Sequence, residues 1–317
     1  MRLYIDKENI LSFMSKRNKD EDLFYESIHM IKAGMEVYYN FSKSDVASNP
    51  VLMAWFSRMR GSGVKFDSFF CPDLSMKPER PLKTNFYVNF SPVDRSSVYL
   101  LDIEEHICNI IKEKQCILIG RIGDEFDIFG KLLEIPERPR MMAKLQSWKQ
   151  YCPQLPLTDV ILCDNYYFKH SNVYRKNDNE LIRSLASIPK DSLNLVIITK
   201  EGEIDSNIDL SIECGKIKDI VCKISNLSKK KCSVTIMTTN RIHSRHILTN
   251  YYRISPTSCV HLKDNGLKED ANILIESHAD PSAAEATKDL INMFQSIASN
   301  PVRIYGDRRS NYIHFAG

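Results

Sequence analysis

The chain has 317 residues, 43% hydrophobic and 26% charged, a composition that fits one large or two smaller globular domains and excludes a disordered or fibrous protein. A net charge of +3 and a pI near 8.3 are compatible with a phosphate-bearing partner without demanding one. Nine cysteines, an odd number with no C-x-x-C pair, fit reduced thiols used as small apolar residues better than disulfides or a zinc site. The start MRLYIDKENI carries charge too early for a signal peptide, and no run of about 18 apolar residues exists, so the expectation is a cytoplasmic protein with no membrane span.

Arg2 to Ile5 reads as a strand with Asp6, Lys7 and Glu8 at its end. Glu21 to Lys32 reads as a helix capped by Asp20 and stopped by Gly34, with Leu23, Phe24, Ile28 and Ile31 on one side. Glu36 to Phe41 is aromatic and β-branched, as a strand requires. Asn49 then caps a helix with Pro50 in its first turn. Val51, Leu52, Trp55, Phe56 and Met59 form its apolar stripe, and Gly61 ends it. A long connection follows, with a strand over Asn85 to Phe90. Further on come a strand at Val98 to Leu101, a helix at Ile103 to Lys114, a buried strand at Cys116 to Gly120, and helices at Asp124 to Leu133 and Arg140 to Tyr151. Pro153 and Pro156 break the pattern, which places a domain boundary there: residues 1–153 and 154–317, each an α/β domain.

The second half reads as strand Asp159 to Cys163, helix Asn179 to Ile188 and strand Leu195 to Thr199. A helical stripe of Ile217, Ile220, Val221, Ile224 and Leu227 leads to strand Ser233 to Thr238. A strand through Asn240 to Tyr252 comes next, then a short one at Cys259 to Leu262. A helix over Ala283 to Ala298 and a hairpin around Gly306-Asp307, pairing Val302 to Tyr305 with Asn311 to Phe315, close the chain. The implied second domain is a mixed sheet flanked by helices, with no internal repeat.

Within Asn240 to Tyr252, His243, Arg245 and Asn250 read H-x-R-x4-N. Strand residues two apart share a face, so His243 and Arg245 can address one ligand. This resembles the H-x-K-x4-D/N signature of the phospholipase D superfamily, with Arg in place of Lys. The resemblance covers roughly the last half of the chain. It implies a His243 nucleophile, an Arg245 phosphate clamp and an orienting Asn250, in metal-independent phosphodiester chemistry without a cofactor. Arg keeps its proton and its planar fork differs from an ammonium, so phosphate binding survives the exchange better than turnover. One motif per chain implies that a second His comes from another copy, in a homodimer paired through the His243 strand. Asp164 and Asn165 either line a cleft at a strand end or cap a turn. His261 and Lys263 begin a second, incomplete H-x-K that either helps bind phosphate or is a chance hit. For His243 and Arg245, the structural alternative is a polar strand face paired with a carboxylate.

The stretch also resembles the C-terminal domain of MIT-domain proteins, where the fold implies lipid and partner binding without turnover; Ser244 stands where that family has Asp. Tyr4 to Ile10 resembles the first strand of NYN-type and PIN-type nucleases, which implies an acidic metal site at strand ends. Asp102, Glu104, Glu105, Asp124, Glu125 and Asp127 are available to it, but most are better explained as helix N-terminal acids, and no metal site is assigned. The leading expectation is a phospholipase-D-like nuclease or effector acting on nucleic acid, of the kind found in bacterial defence against mobile elements. The other is a non-catalytic module of that fold that binds a protein or nucleic-acid partner, with the N-terminal domain as a possible protein-binding part.

Overall fold

The computed structural model describes residues 1–61, 66–71, 97–115, 118–133, 152–169, 181–188, 192–242, 245–256 and 273–315. They fall into two compact units, Met1–Ile135 with Ser277–Ala284, and Pro136–Glu276 with Glu285–Gly317. The division thus lies upstream of the Pro153–Pro156 break. Both units are α/β.

The first unit is built on a five-stranded parallel sheet of order β3-β2-β1-β4-β5, from β1 (Arg2–Ile5), β2 (Glu36–Tyr39), β3 (Ser68–Phe70), β4 (Ser97–Leu100) and β5 (Leu118–Gly120). The two-residue period of the strands sorts their side chains. Leu3, Ile5, Val37, Val98 and Leu100 are buried, while on the alternate positions Tyr99, Tyr4, Tyr38 and Phe69 stack in register across four strands. Helix α1 (Lys7–Ser15) follows β1 directly, where the sequence pattern predicts only a strand end. Asp6 accepts the Asn9 N–H as its N-cap, and Ile10 and Phe13, one turn apart, are buried. Phe13 packs against Phe24 of α2 (Glu21–Gly34) and Phe129 of α6 (Glu125–Leu133). Helix α3 (Lys43–Ser48), absent from the sequence reading, starts at a reciprocal capping box between Ser42 and Asp45. In α4 (Pro50–Arg60) Leu52, Trp55, Phe56 and Met59 are buried, but Val51 of the expected stripe is exposed. Helix α5 (Glu105–Gln115) places Ile107, Cys108 and Ile111 against Tyr99 and Ile119.

The second unit holds a seven-stranded mixed sheet, β11-β10-β9-β6-β7-β8-β12. Strands β6 (Asp159–Cys163), β7 (Leu193–Lys200) and β8 (Cys232–Thr239) are parallel neighbours. Strand β9 (His246–Thr249) runs antiparallel to β6, β10 (Tyr252–Pro256) antiparallel to β9, and β12 (Arg303–Gly306) antiparallel to β8. Strand β11 is Ile273–Ser277. Helix α7 (Leu210–Ser225) is capped by Asp209, and Asn226 in a left-handed conformation ends it. Helix α8 (Pro281–Ser299) contributes Leu290, Phe294, Ile297 and Ala298 to a core with Ile161, Cys163, Val196, Ile198, Met237 and Leu248. The single strand expected through Asn240 to Tyr252 is two strands, divided at Asn250 and Tyr251, and it begins at His246. The expected C-terminal hairpin does not form. Strand β12 pairs with β8 instead, and Asn311 to Phe315 is irregular, tied by Asn311 N–H to Asp159 Oδ1 at 2.7 Å. The predicted strands at Asn85 to Phe90 and Cys259 to Leu262 and the helix at Arg140 to Tyr151 lie outside the described residues.

Candidate functional site

Strands β6, β7 and β8 end at one edge of the mixed sheet, and β9, running the other way, begins there. His246 pairs with Cys163, so the residues just beyond, Arg245 and Asp164, are neighbours by register. Arg245 Nε lies 3.6 Å from Asp164 Oδ1, and the Asp164 side chain is fully buried. The carboxylate also accepts the Tyr166 N–H at 2.9 Å, the Asx turn that folds the chain back after β6. That turn brings the Tyr166 ring under Arg245, whose guanidinium carbon is 5.4 Å from the ring centre. On the same ring sits Lys169, its Nζ 4.6 Å from the centre. Asp164 therefore forms the turn, and its buried carboxylate faces the Arg245 guanidinium.

Asn165 is buried, and its backbone carbonyl accepts the Thr199 hydroxyl at 3.3 Å and the Lys200 N–H at 3.4 Å, which fastens the turn to the end of β7. Its side-chain Oδ1 has no hydrogen-bond partner among the described residues. Lys169 Nζ pairs with Glu203 Oε2 at 2.8 Å on the turn after β7. The hydrogen bond between them raises the lysine pKa and lowers that of the carboxyl. Tyr166 and Lys169 were not singled out from sequence. The signal was the run Asp164-Asn165-Tyr166-Tyr167-Phe168-Lys169, an aromatic and basic turn after a buried strand.

Asn250 lies at the other edge. Its Oδ1 accepts the Thr158 N–H at 3.0 Å and its Nδ2 donates to the Pro156 carbonyl at 3.2 Å, which ties the approach to β6 to the β9–β10 turn. The four residues of β9, at about 3.3 Å each, separate it from Arg245. The structure thus brings Arg245 and Asp164 together and sets Asn250 apart from them. His243, His261 and Lys263 lie outside the described residues. His246 has its Nδ1 3.2 Å from Ser255 Oγ, and burial, with Arg253 nearby, pulls its pKa down to about 4.

In the first unit Asp6 stands at the C-terminal end of β1. Its carboxylate accepts from the Asn9 backbone and side chain, each at 2.9 Å, and from the Asp102 N–H. Burial raises its pKa against the pull of those bonds. The other strand-end acids are engaged locally: Glu104 with His106, Glu105 with Arg121, Asp124 with the Arg121 N–H and Lys112, and Glu125 with Lys16 at 2.7 Å. Among the described residues no group of three or more His, Cys, Asp or Glu side chains could hold a metal ion.

Fold and edge together define an α/β protein with two sheets, one parallel and one mixed, whose mixed sheet carries an oriented arginine at the C-terminal ends of its parallel strands. No family model and no curated protein matches the chain. Among solved structures it is similar to TrmBL2, an archaeal chromatin protein that shows a novel mode of DNA binding. The identity is 10% over 44% of this chain and 43% of that one, with a TM-score of 0.23. The match therefore spans less than half of that protein's length, and at that score the likeness does not extend to a shared fold. No helix among the described residues is long and apolar enough to cross a membrane.

Proposed function

We propose that the second unit is a phospholipase-D-like module directed at phosphodiesters, acting as a nuclease or nucleic-acid effector, with Arg245 as its phosphate clamp. The observation that carries the reading is the Arg245–Asp164 contact over Tyr166. A guanidinium held on one side by a buried carboxylate and on another by a ring loses little freedom when its remaining N–H groups meet a phosphate. His243, two residues upstream in sequence, is the nucleophile of this reading. It attacks phosphorus, a phosphohistidine forms as the P–O bond to the leaving oxygen breaks, and His243 of a second copy protonates that oxygen. Water then releases the phosphate.

One observation favours the rival reading, a module of the same fold that binds without turnover. Asn250, the third member of the motif, is engaged in a structural tie at the far edge. Cleavage of labelled DNA and RNA in EDTA separates the two. Activity in EDTA that disappears in His243→Ala and Arg245→Ala, with circular dichroism unchanged, is the expected result. Cleavage that requires a divalent metal moves the activity to carboxylates such as Asp6. Absence of cleavage, combined with retained nucleic-acid binding that Arg245→Ala weakens, selects the non-catalytic module. Full activity in His243→Ala overturns the catalytic assignment.

A further inference from the structure

Arg245 does not hold the Tyr166 ring alone. Lys169, three residues further along the turn, places its ammonium 4.6 Å from the same ring centre, nearer than Arg245 at 5.4 Å. The two cations reach that ring from different elements, one from the turn after β6 and one from the start of β9. Their counter-charges differ in kind. Asp164, opposite Arg245, is fully buried and accepts the backbone N–H of Tyr166, so it cannot leave without undoing the turn. Glu203, opposite Lys169, sits on the short turn Glu201–Glu203 with its side chain a quarter exposed, and the Lys169 side chain is 43% exposed. An exposed ion pair of this kind contributes little stability, so an incoming anion can replace its carboxylate.

We propose that Lys169 is a second phosphate contact beside Arg245, held in reserve by Glu203, so that the site takes a single-stranded nucleic acid presenting successive phosphates rather than one isolated phosphate. This deepens the phosphodiester reading of Arg245 and rests on it. A mononucleotide is met by Arg245. A strand brings a further phosphate to the Lys169 ammonium, which turns away from Glu203 to meet it while Tyr166 keeps both cations at one place. Direct neutralisation of phosphates makes binding salt-dependent, with a slope of about 0.7 per contact for a single strand.

The test measures affinity for a fluorescein-labelled oligothymidylate and for thymidine monophosphate across a salt series. The proteins are the full chain and its variants Glu203→Gln, Lys169→Met and Arg245→Ala, each checked for folding by circular dichroism. Glu203→Gln is expected to tighten oligonucleotide binding several-fold at low salt, because the reserve is released. Lys169→Met is expected to weaken it and to reduce the salt slope by about 0.7. Both act more strongly on the oligonucleotide than on the monophosphate, whereas Arg245→Ala weakens both ligands alike. If Arg245→Ala weakens both ligands while Glu203→Gln and Lys169→Met leave oligonucleotide affinity and slope as they were, the Lys169 assignment fails and the Arg245 reading stands. If Arg245→Ala changes neither ligand, or the full chain binds neither, both fail together.

Discussion

At Gly306 the backbone takes φ +96°, and a Cβ there would lie 2.1 Å from the Val234 carbonyl oxygen and 2.7 Å from Cys214 Sγ. Both the conformation and the space exclude a side chain where β12 ends against β8. Gly306→Ala should therefore lower the unfolding free energy, measured by urea titration, by at least the ~1–3 kcal/mol that a strained backbone costs. His246 gives the pH dependence. Its pKa is about 4 in the folded chain, below the ordinary 6.5 of the unfolded one. Between those values the unfolded state binds the extra proton, so stability falls as pH drops from about 6.5 towards 4 and levels off below that. NMR titration of the imidazole should find its midpoint near 4. A midpoint at the ordinary value would contradict the burial of this ring. Asn250→Ala removes the acceptor for the Thr158 N–H and the donor to the Pro156 carbonyl. The expected outcome is a stability loss of about 1–3 kcal/mol with oligonucleotide affinity unchanged, the opposite pattern to Arg245→Ala.

Helices show how packing partners decide which stripe residues matter. Phe294 of α8 is fully buried among Ile161, Val196, Met237 and Leu248. Phe294→Ala should destabilise by about 3–5 kcal/mol in a denaturant melt. Val51 of α4 belongs by sequence to a stripe of the same sort, yet it is 39% exposed in the first turn. Val51→Ala should stay within about 0.5 kcal/mol of the parent. The start of α1 depends on Asp6, which both caps the helix and accepts the Asp102 N–H from the segment that follows β4, the strand beside β1 in the sheet. Asp6→Ala should cost about 1–2 kcal/mol, and Asp6→Asn should recover only part of that, since its amide oxygen still caps the helix while its NH2 cannot accept the Asp102 N–H. The raised pKa of Asp6 means that it pays to be ionised where it is.

Over the whole molecule a net charge of +3 supplies little long-range attraction for a polyanion. Nucleic-acid binding therefore has to come from a local group of cations, and its salt slope should reflect a few contacts, not a basic surface. A steep slope that survives in Arg245→Ala would place the binding elsewhere. Each of the two units has its own sheet and its own core, and both cores are made by the two-residue period of buried strands between helices.

Periodicity and caps made much of this legible. The helices at Glu21–Gly34, Pro50–Arg60 and Pro281–Ser299 and the buried strand at Asp159–Cys163 follow from apolar spacing and from Asp20 and Asn49, because local chain geometry decides which face an apolar side chain occupies. Helix α1 was hidden in the charged run that follows β1, and only the packing of Ile10 and Phe13 reveals it. The motif spacing marked Arg245 and Asn250 as companions. The structure separates them, because β9 runs straight between them and carries each to an opposite end of the strand. Conversely, Tyr166 and Lys169 lie far before Arg245 in the chain. No local pattern could join them to it. The antiparallel register of β9 against β6 does so, since it sets Arg245 beside Asp164 and the turn that follows.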